Sequence, residues 1–379
     1  MKNQDAVYRR LRKDLDRLPV AFPSTRTGTD LRLLKHLFSP DEAEIALALN
    51  AVPEPVEKIH RRLRRKSGTP DELRLILDRM CQKGAILGGM AMSKGKRVLG
   101  YSKAPLVVGM FELQVNRLTR DFVDAFHAYK DETQPNPFFS KKTSQMRTVP
   151  INVEVGEPGT VGLYDDVRSY IHRTRGPFAV MNCVCRQAQG TLGHSCASGN
   201  HETCLTLGSS AVYMQKMGHA RLISRDEILA VLDSAQERGL VLQPQNTQAP
   251  EFICCCCKDC CEVLVGARKL PRPSEYFRTN FQARVDQSLC KGCKTCVKRC
   301  PMDAVSVAEK VASVDEGRCI GCGLCACTCE NEAIRLRPLG EQSVPPRDRQ
   351  IMYQKIMLDR FGPLRAIAKT ARVVLGMKL

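Results

Sequence analysis

Nine cysteines fall between residues 290 and 329, and eight of them form two near-copies of one pattern. The first reads Cys290-x2-Cys293-x2-Cys296-x3-Cys300-Pro301 and the second Cys319-x2-Cys322-x2-Cys325-x3-Cys329-Glu330. Corresponding thiols lie 29 residues apart. The flanks repeat too: Asp286-Gln-Ser-Leu precedes one copy and Asp315-Glu-Gly-Arg the other, and Ala304-Val-Ser-Val and Ala333-Ile-Arg-Leu follow them. Thiolates are ligands for soft metals, and four in even steps, repeated, suit an iron–sulfur cube better than a zinc tetrahedron or a disulfide scaffold. Cys327, the ninth, reads as a packed free thiol.

A second concentration of thiols lies upstream: Cys183, Cys185, Cys196 and Cys204, then Cys254, Cys255, Cys256, Cys257, Cys260 and Cys261. In a reducing compartment such density points to metal. Four adjacent cysteines cannot all serve one cube, because alternate side chains on an extended backbone point to opposite sides. Cys255 and Cys257 are expected to face together, with Cys260 or Cys261 returning from a turn. Cys183, Cys185, Cys196 and Cys204 form a separate candidate four-ligand set. His194 and His201 read as surface residues. Arg186 and Lys258 would favour thiolate over thiol and offset a cluster's negative charge. Further clusters, zinc, and a thiol or disulfide relay all remain open for this region.

Residues 281–338 resemble the two-cluster [4Fe–4S] ferredoxin domains of bacteria. The resemblance implies that three cysteines of each motif and the fourth of the other hold a cube. One cluster would then take Cys290, Cys293, Cys296 and Cys329, and the other Cys319, Cys322, Cys325 and Cys300. It also implies transfer of single electrons at low potential. Glu330 departs from the family's pattern, which repeats the proline seen at Pro301, and this bears on the charge beside the first cluster. The Cys183–Cys261 block resembles an uncharacterised module found beside ferredoxin domains in proteins of anaerobes. That likeness implies iron–sulfur character for the block, and the density of its thiols makes one or two further clusters the expectation.

The chain has 379 residues, enough for several domains, and a formal net charge of +18. The charge favours acidic partners or anionic surfaces. With no Trp and 5% aromatic residues, a base-stacking platform is disfavoured. No apolar run is long enough to span a membrane, and the N-terminus lacks an apolar signal segment. A cytoplasmic, oxygen-poor setting is the expectation, with peripheral contact at the inner face of a membrane as an option for the C-terminal helix.

Several elements must position these thiols. Periodicity predicts a basic helix over Val7 to Leu18, broken by Pro19 to Gly28, and a helix over Leu31 to Phe38. Capping boxes at Ser39-Pro40-Asp41-Glu42 and Thr69-Pro70-Asp71-Glu72 start two more, with Val56 to Leu63 between them. Ala85-Ile-Leu and Arg97-Val-Leu read as a hairpin. Helix, helix, helix, hairpin resembles a winged-helix domain, with Glu57 to Ile86 as its helix-turn-helix core. Its Pro70–Gln82 helix carries Asp71, Glu72 and Asp78 against Arg74, Arg79 and Lys83, too neutral for DNA phosphates, so docking is expected rather than specific nucleic-acid binding. The run Arg61 to Lys66 reads as a solvated face. A helix from Phe111 to Tyr129, a break at Pro135, a strand and turn over Thr148 to Glu157, and a helix from Asp226 to Gly239 capped by Ser224 follow. Beyond Gly362-Pro363, Leu364, Ile367, Ala368, Ala371, Val374 and Leu375 form an apolar stripe beside Arg365, Lys369 and Arg372, suited to a core, a partner or an anionic membrane surface.

The expected class is α+β and multidomain. Residues 1–110 form a winged-helix-like domain, 111–275 a mixed cysteine-rich domain, 276–340 a dicluster ferredoxin domain and 341–379 a basic amphipathic extension. Gly88-Gly89 lacks the context of a dinucleotide fingerprint, and there is no P-loop. The expected function is an electron-transfer subunit relaying electrons to or from a partner oxidoreductase. The alternatives are a redox-sensing DNA-binding regulator and an enzyme with a catalytic cluster in the Cys183–Cys261 region.

Overall fold

The computed structural model describes residues 4–63, 68–93, 95–133, 138–139, 142–152, 164–199, 202–374 and 377–378. The chain opens with α1 (Gln4–Leu15), α2 (Thr29–Leu37) and α3 (Pro40–Leu47), then β1 (Glu54–Pro55), α4 (Val56–Leu63) and α5 (Pro70–Gln82). The hairpin β2 (Ile86–Ser93) and β3 (Lys96–Lys103) follows. Both predicted capping boxes form: Ser39 with Glu42 and Thr69 with Glu72 each exchange side-chain and backbone bonds, with proline at the first helical turn. Tyr8, Leu11 and Leu15 of α1 are buried, as are Leu73, Leu77 and Met80 of α5. β3 lies between β1 and β2. The helix–hairpin order is the expected one, and Asp78 of α5 is occupied by the Tyr101 hydroxyl at 2.8 Å. Arg64 to Lys66 of the basic run lie outside the described residues.

The expected helix from Phe111 is shorter than its periodicity. Its first part is irregular, with Asn116 in the left-handed region (φ 65°), and α6 (Arg120–Glu132) begins only where Thr119 accepts the Phe122 N–H at 3.3 Å. The aromatic period still packs: Phe111 and Phe126 stack with centroids 3.9 Å apart. The first helix likewise ends at Leu15 rather than Leu18, although Leu18 stays buried. The break expected at Pro135 lies outside the described residues.

A five-stranded antiparallel sheet carries the middle region. In chain order its elements are α7 (Val167–Arg173), β4 (Phe178–Asn182), α8 (Val184–Thr191), β5 (Glu202–Leu207), α9 (Ser209–Lys216) and β6 (Arg221–Ile223). They continue with α10 (Arg225–Arg238), β7 (Val241–Pro244), β8 (Phe252–Cys256) and α11 (Glu262–Arg268). The strand order is β6-β4-β5-β8-β7. α10 starts at the predicted Ser224–Glu227 capping box and ends at Gly239 in the left-handed conformation. Of the strand expected at Thr148 to Glu157, Val149 makes only an isolated bridge to Leu242, and 153–157 lie outside the described residues.

The ferredoxin region comprises β9 (Phe281–Val285), α12 (Thr295–Arg299), β10 (Val305–Ala308), β11 (Val311–Val314) and β12 (Ile334–Pro338). β9 pairs with β12 and β10 with β11, so each cysteine motif is followed by one strand of a different pair. This region shares a core with the middle sheet: Met302, Ile320 and Leu324 pack in one cluster with Ile253, Leu264 and Phe277. The Ile151 N–H donates to the Cys322 carbonyl at 3.0 Å. Asn280, just before β9, donates at 2.8 Å to Asp165, whose other oxygen pairs with buried Arg147. The chain closes with α13 (Arg349–Phe361), which buries Met352, Ile356 and Met357, and α14 (Pro363–Val374). Among the described side chains of α14 only Ala366 is buried, while Leu364, Ile367, Ala368 and Ala371 are exposed. Leu375 lies outside the described residues. Among the described residues no helix is long and apolar enough to cross a membrane.

The Asp165 carboxylate joins the middle sheet to the ferredoxin region, and both it and Arg147 are 1% exposed. Replacing Asp165 by Ala strands a buried guanidinium, which costs about 3–5 kcal/mol. Anaerobic urea denaturation of Asp165→Ala is therefore expected to show a large fall in the unfolding midpoint. A loss within the range of a surface substitution would contradict this role.

Candidate metal centres

Two cavities lie within the ferredoxin region. One is lined by Cys319, Cys322, Cys325 and Cys300, the other by Cys290, Cys293, Cys296 and Cys329. Each therefore gathers three thiols of one motif and the last of the other. They enclose about 340 and 390 Å³ counted to their mouths. The loops close tightly. Gly292 and Gly321 both have φ 67°, and a Cβ there would run into the Lys310 backbone or the Phe281 carbonyl.

The environment of the sulfurs suits cluster thiolates. Ala283 N–H donates to Cys319 Sγ at 3.5 Å, Ala304 N–H to Cys300 at 3.2 Å and Ala312 N–H to Cys290 at 3.3 Å. Such donors stabilise thiolate charge and tune cluster potential. The two sites differ in exposure. Burial pushes the Cys319, Cys322 and Cys325 thiols up, so only a cation in their midst would make them thiolates. Cys293 is exposed, and the Thr295 hydroxyl beside it holds its thiol below the ordinary range. Lys291 and Lys294 stand on that rim, and Glu330 is exposed close by in sequence. Cys327 lines neither cavity; its Sγ lies 3.4 Å from the Leu324 carbonyl, a packed thiol as expected.

The upstream cysteines separate into two sets, grouped differently from the sequence expectation. In the larger set, thiols touch in series: Cys183 with Cys185, Cys185 with Cys261, Cys261 with Cys256, Cys256 with Cys254, and Cys254 with Cys204. The pairing of β5 with β8 sets Cys204 opposite Cys254. Along this series low and high thiols alternate. The Cys204 contact brings Cys254 down to about 5, the Cys185 contacts lower Cys183 and Cys261, and Cys185, Cys204 and Cys256 are raised by the same bonds. The result is a chamber of closely spaced sulfur in which lowered and raised thiols share protons. Burial works against the charge of Arg186, yet the sulfurs of Cys183 and Cys257 beside it hold its pKa above the ordinary value. It is 1% exposed and donates to Thr203 at 2.6 Å.

Cys196 does not join Cys183, Cys185 and Cys204. It lies 3.7 Å from Cys257, with Cys260 and Asp259 close by. Cys255 is not part of that group: it lies in the apolar core, where burial pushes its thiol up. His194 is exposed, and His201 lies outside the described residues.

Three carboxylates went unnoticed in the sequence. Asp259 sits inside the Cys257–Cys260 turn, a placement that spacing alone offered. Glu262, next to Cys261, is buried and bonded to His127 at 2.8 Å and to Lys130 of α6. Burial pushes Glu112 up to about 7, against the Gly109 N–H at 2.7 Å, and it lies near Cys254. Glu112 carries no local sequence signal, since only the tertiary fold brings it near Cys254, whereas Glu262 directly follows Cys261 in the chain.

A family model described as a 4Fe-4S binding domain matches residues 283–306 and again 312–335. No curated protein and no solved structure matches the chain. The chain thus carries a tandem 4Fe–4S binding domain at 283–335, and each of its two cavities is lined by residues of both repeats.

Because Cys300 lines the cavity of the other motif, Cys300→Ala is expected to remove the EPR signal of the centre in the Cys319 cavity while the Cys290 centre persists. Loss on the Cys290 side alone would contradict the exchange of ligands.

Proposed function

We propose that this chain is an electron-transfer iron–sulfur protein, relaying single low-potential electrons between a donor and a partner oxidoreductase. Cys290, Cys293, Cys296 and Cys329 would hold one cube, and Cys319, Cys322, Cys325 and Cys300 the other. The chamber of Cys183, Cys185, Cys204, Cys254, Cys256 and Cys261 would hold a further cluster. When bound, such clusters accept and release one electron at a time without a protein bond being made or broken.

The observation that carries this reading is the merger of the two thiol regions into one core. Cys256, Cys257, Cys260 and Cys261 pack in the same apolar cluster as Cys300, Cys322 and Leu324. Arg299 donates to the carbonyls of Gln236 and Glu237 at 2.6 and 2.9 Å, and Lys258 to that of Lys298 at 3.1 Å. Rigid packing of this kind keeps redox centres at fixed separation and out of water. At the other end, exposed Cys293 and the Lys291–Lys294 rim offer an acidic redox partner an entry point. The exposed apolar side of α14, with Arg365 and Arg372, would be a second docking face for that partner complex. A DNA-reading role gains no support from α5, where acidic side chains offset the basic ones.

Two cubes of four irons account for eight. Anaerobically reconstituted protein is expected to hold about twelve irons per chain if the chamber takes one further four-iron cluster. Cys256→Ala with Cys261→Ala is expected to return iron to about eight while both ferredoxin EPR signals remain. Iron already at eight in the unaltered chain would remove the chamber from the electron path.

A further inference from the structure

The set formed by Cys196, Cys257, Cys260 and Asp259 differs in kind from the other thiol sets. Its four ligand atoms all lie within 4.8 Å of one another, and among the described residues no other His, Cys, Asp or Glu group of three or more is gathered so closely. The Cys196 and Cys257 sulfurs are 3.7 Å apart. A metal–sulfur bond of about 2.3 Å in a tetrahedron sets its sulfurs about 3.8 Å apart. Thiolates on a cube each project outward from a different iron, so they stand much farther apart. The ferredoxin thiols, which ring cavities instead of converging, are placed in that wider way.

We propose that Cys196, Cys257, Cys260 and Asp259 bind a single tetrahedral thiophilic divalent cation, zinc or ferrous iron, and not a further cube. Three thiolates and one carboxylate around a divalent ion carry a formal charge of about −2. Buried Arg186 lies against Cys196 and Cys257 and offsets part of it. The Ala197 N–H donates to Asp259 Oδ2 at 3.0 Å, which leaves Oδ1, 4.0 Å from Cys196 Sγ, as the ligating oxygen. Such a bond fixes the carboxylate before the metal arrives.

The ion would staple the loop after α8 to the turn between β8 and α11. Cys256 and Cys261, which belong to the chamber, immediately flank the two turn cysteines. Filling this site therefore fixes the backbone from which two chamber thiols project. The site stands on its own geometry; only this last consequence rests on the electron-transfer reading.

Metal analysis and X-ray absorption on the intact, anaerobically purified chain test the proposal. One zinc per chain is expected, with three sulfur neighbours at about 2.3 Å, one oxygen at about 2.0–2.2 Å and no neighbouring metal. One iron beyond a multiple of four, high-spin ferrous by Mössbauer spectroscopy, would support the same site with iron as its cation. Cys196→Ser is expected to lose that one ion and leave the remaining iron and the ferredoxin EPR signals unchanged. Loss of a four-iron unit from Cys196→Ser with the single ion retained, or intact protein with iron only in multiples of four and no zinc, would overturn it. The measurements on the intact chain decide even if the variant fails to fold. Iron at eight with the zinc retained would dismiss the chamber cluster and leave this site standing.

Discussion

A thiolate away from water is stable only beside positive charge, and that constraint governs the C-terminal two-thirds of this chain. Protein supplies some of it through N–H groups aimed at sulfur, as at Cys290, Cys300 and Cys319, and through buried Arg186. It does not supply enough for six thiols in contact, or for Cys322 and Cys325, which burial alone would keep protonated. In the proposed reading, metal completes the balance. In this account the cations are part of the folding energy as well as the function, because few of these positions are tolerable as bare thiols.

The rest of the molecule builds walls around that sulfur. Cys185 and Cys204 also pack against the core of the N-terminal helices, while Cys256 and Cys261 belong to the core shared with the ferredoxin region. The chamber thus lies where two cores meet. α6 contributes His127 and Lys130 to buried Glu262, and the Gly88 N–H of β2 donates to the Tyr213 hydroxyl of α9 at 2.8 Å. The helix–hairpin region thus packs against the chamber through Cys185 and Cys204.

How much of this was legible in the sequence depended on the range of the interactions. The eight ferredoxin thiols were readable because their spacing is the ligand geometry, repeated. Helix starts were readable because capping boxes act within four residues, as at Ser39, Thr69 and Ser224. The grouping of the upstream thiols was not, because it depends on the antiparallel pairing of β5 with β8 and on a turn that carries Cys257 and Cys260 back to Cys196. The helix expected from Phe111 kept its apolar period in the packing but not in the backbone, where Asn116 and Thr119 interrupt it. Periodicity reports which side chains are buried more faithfully than where a helix begins.

The central claim is that the chamber and the ferredoxin region work as one electron-carrying unit. Anaerobic titration with a low-potential one-electron reductant, followed by EPR, tests it most directly. The account predicts uptake of more than two electrons per chain, since each cube takes about one. It also predicts ferredoxin signals broadened by magnetic interaction with a third centre nearby. Uptake of only two electrons, with two signals that interact with each other and with nothing else, would contradict it.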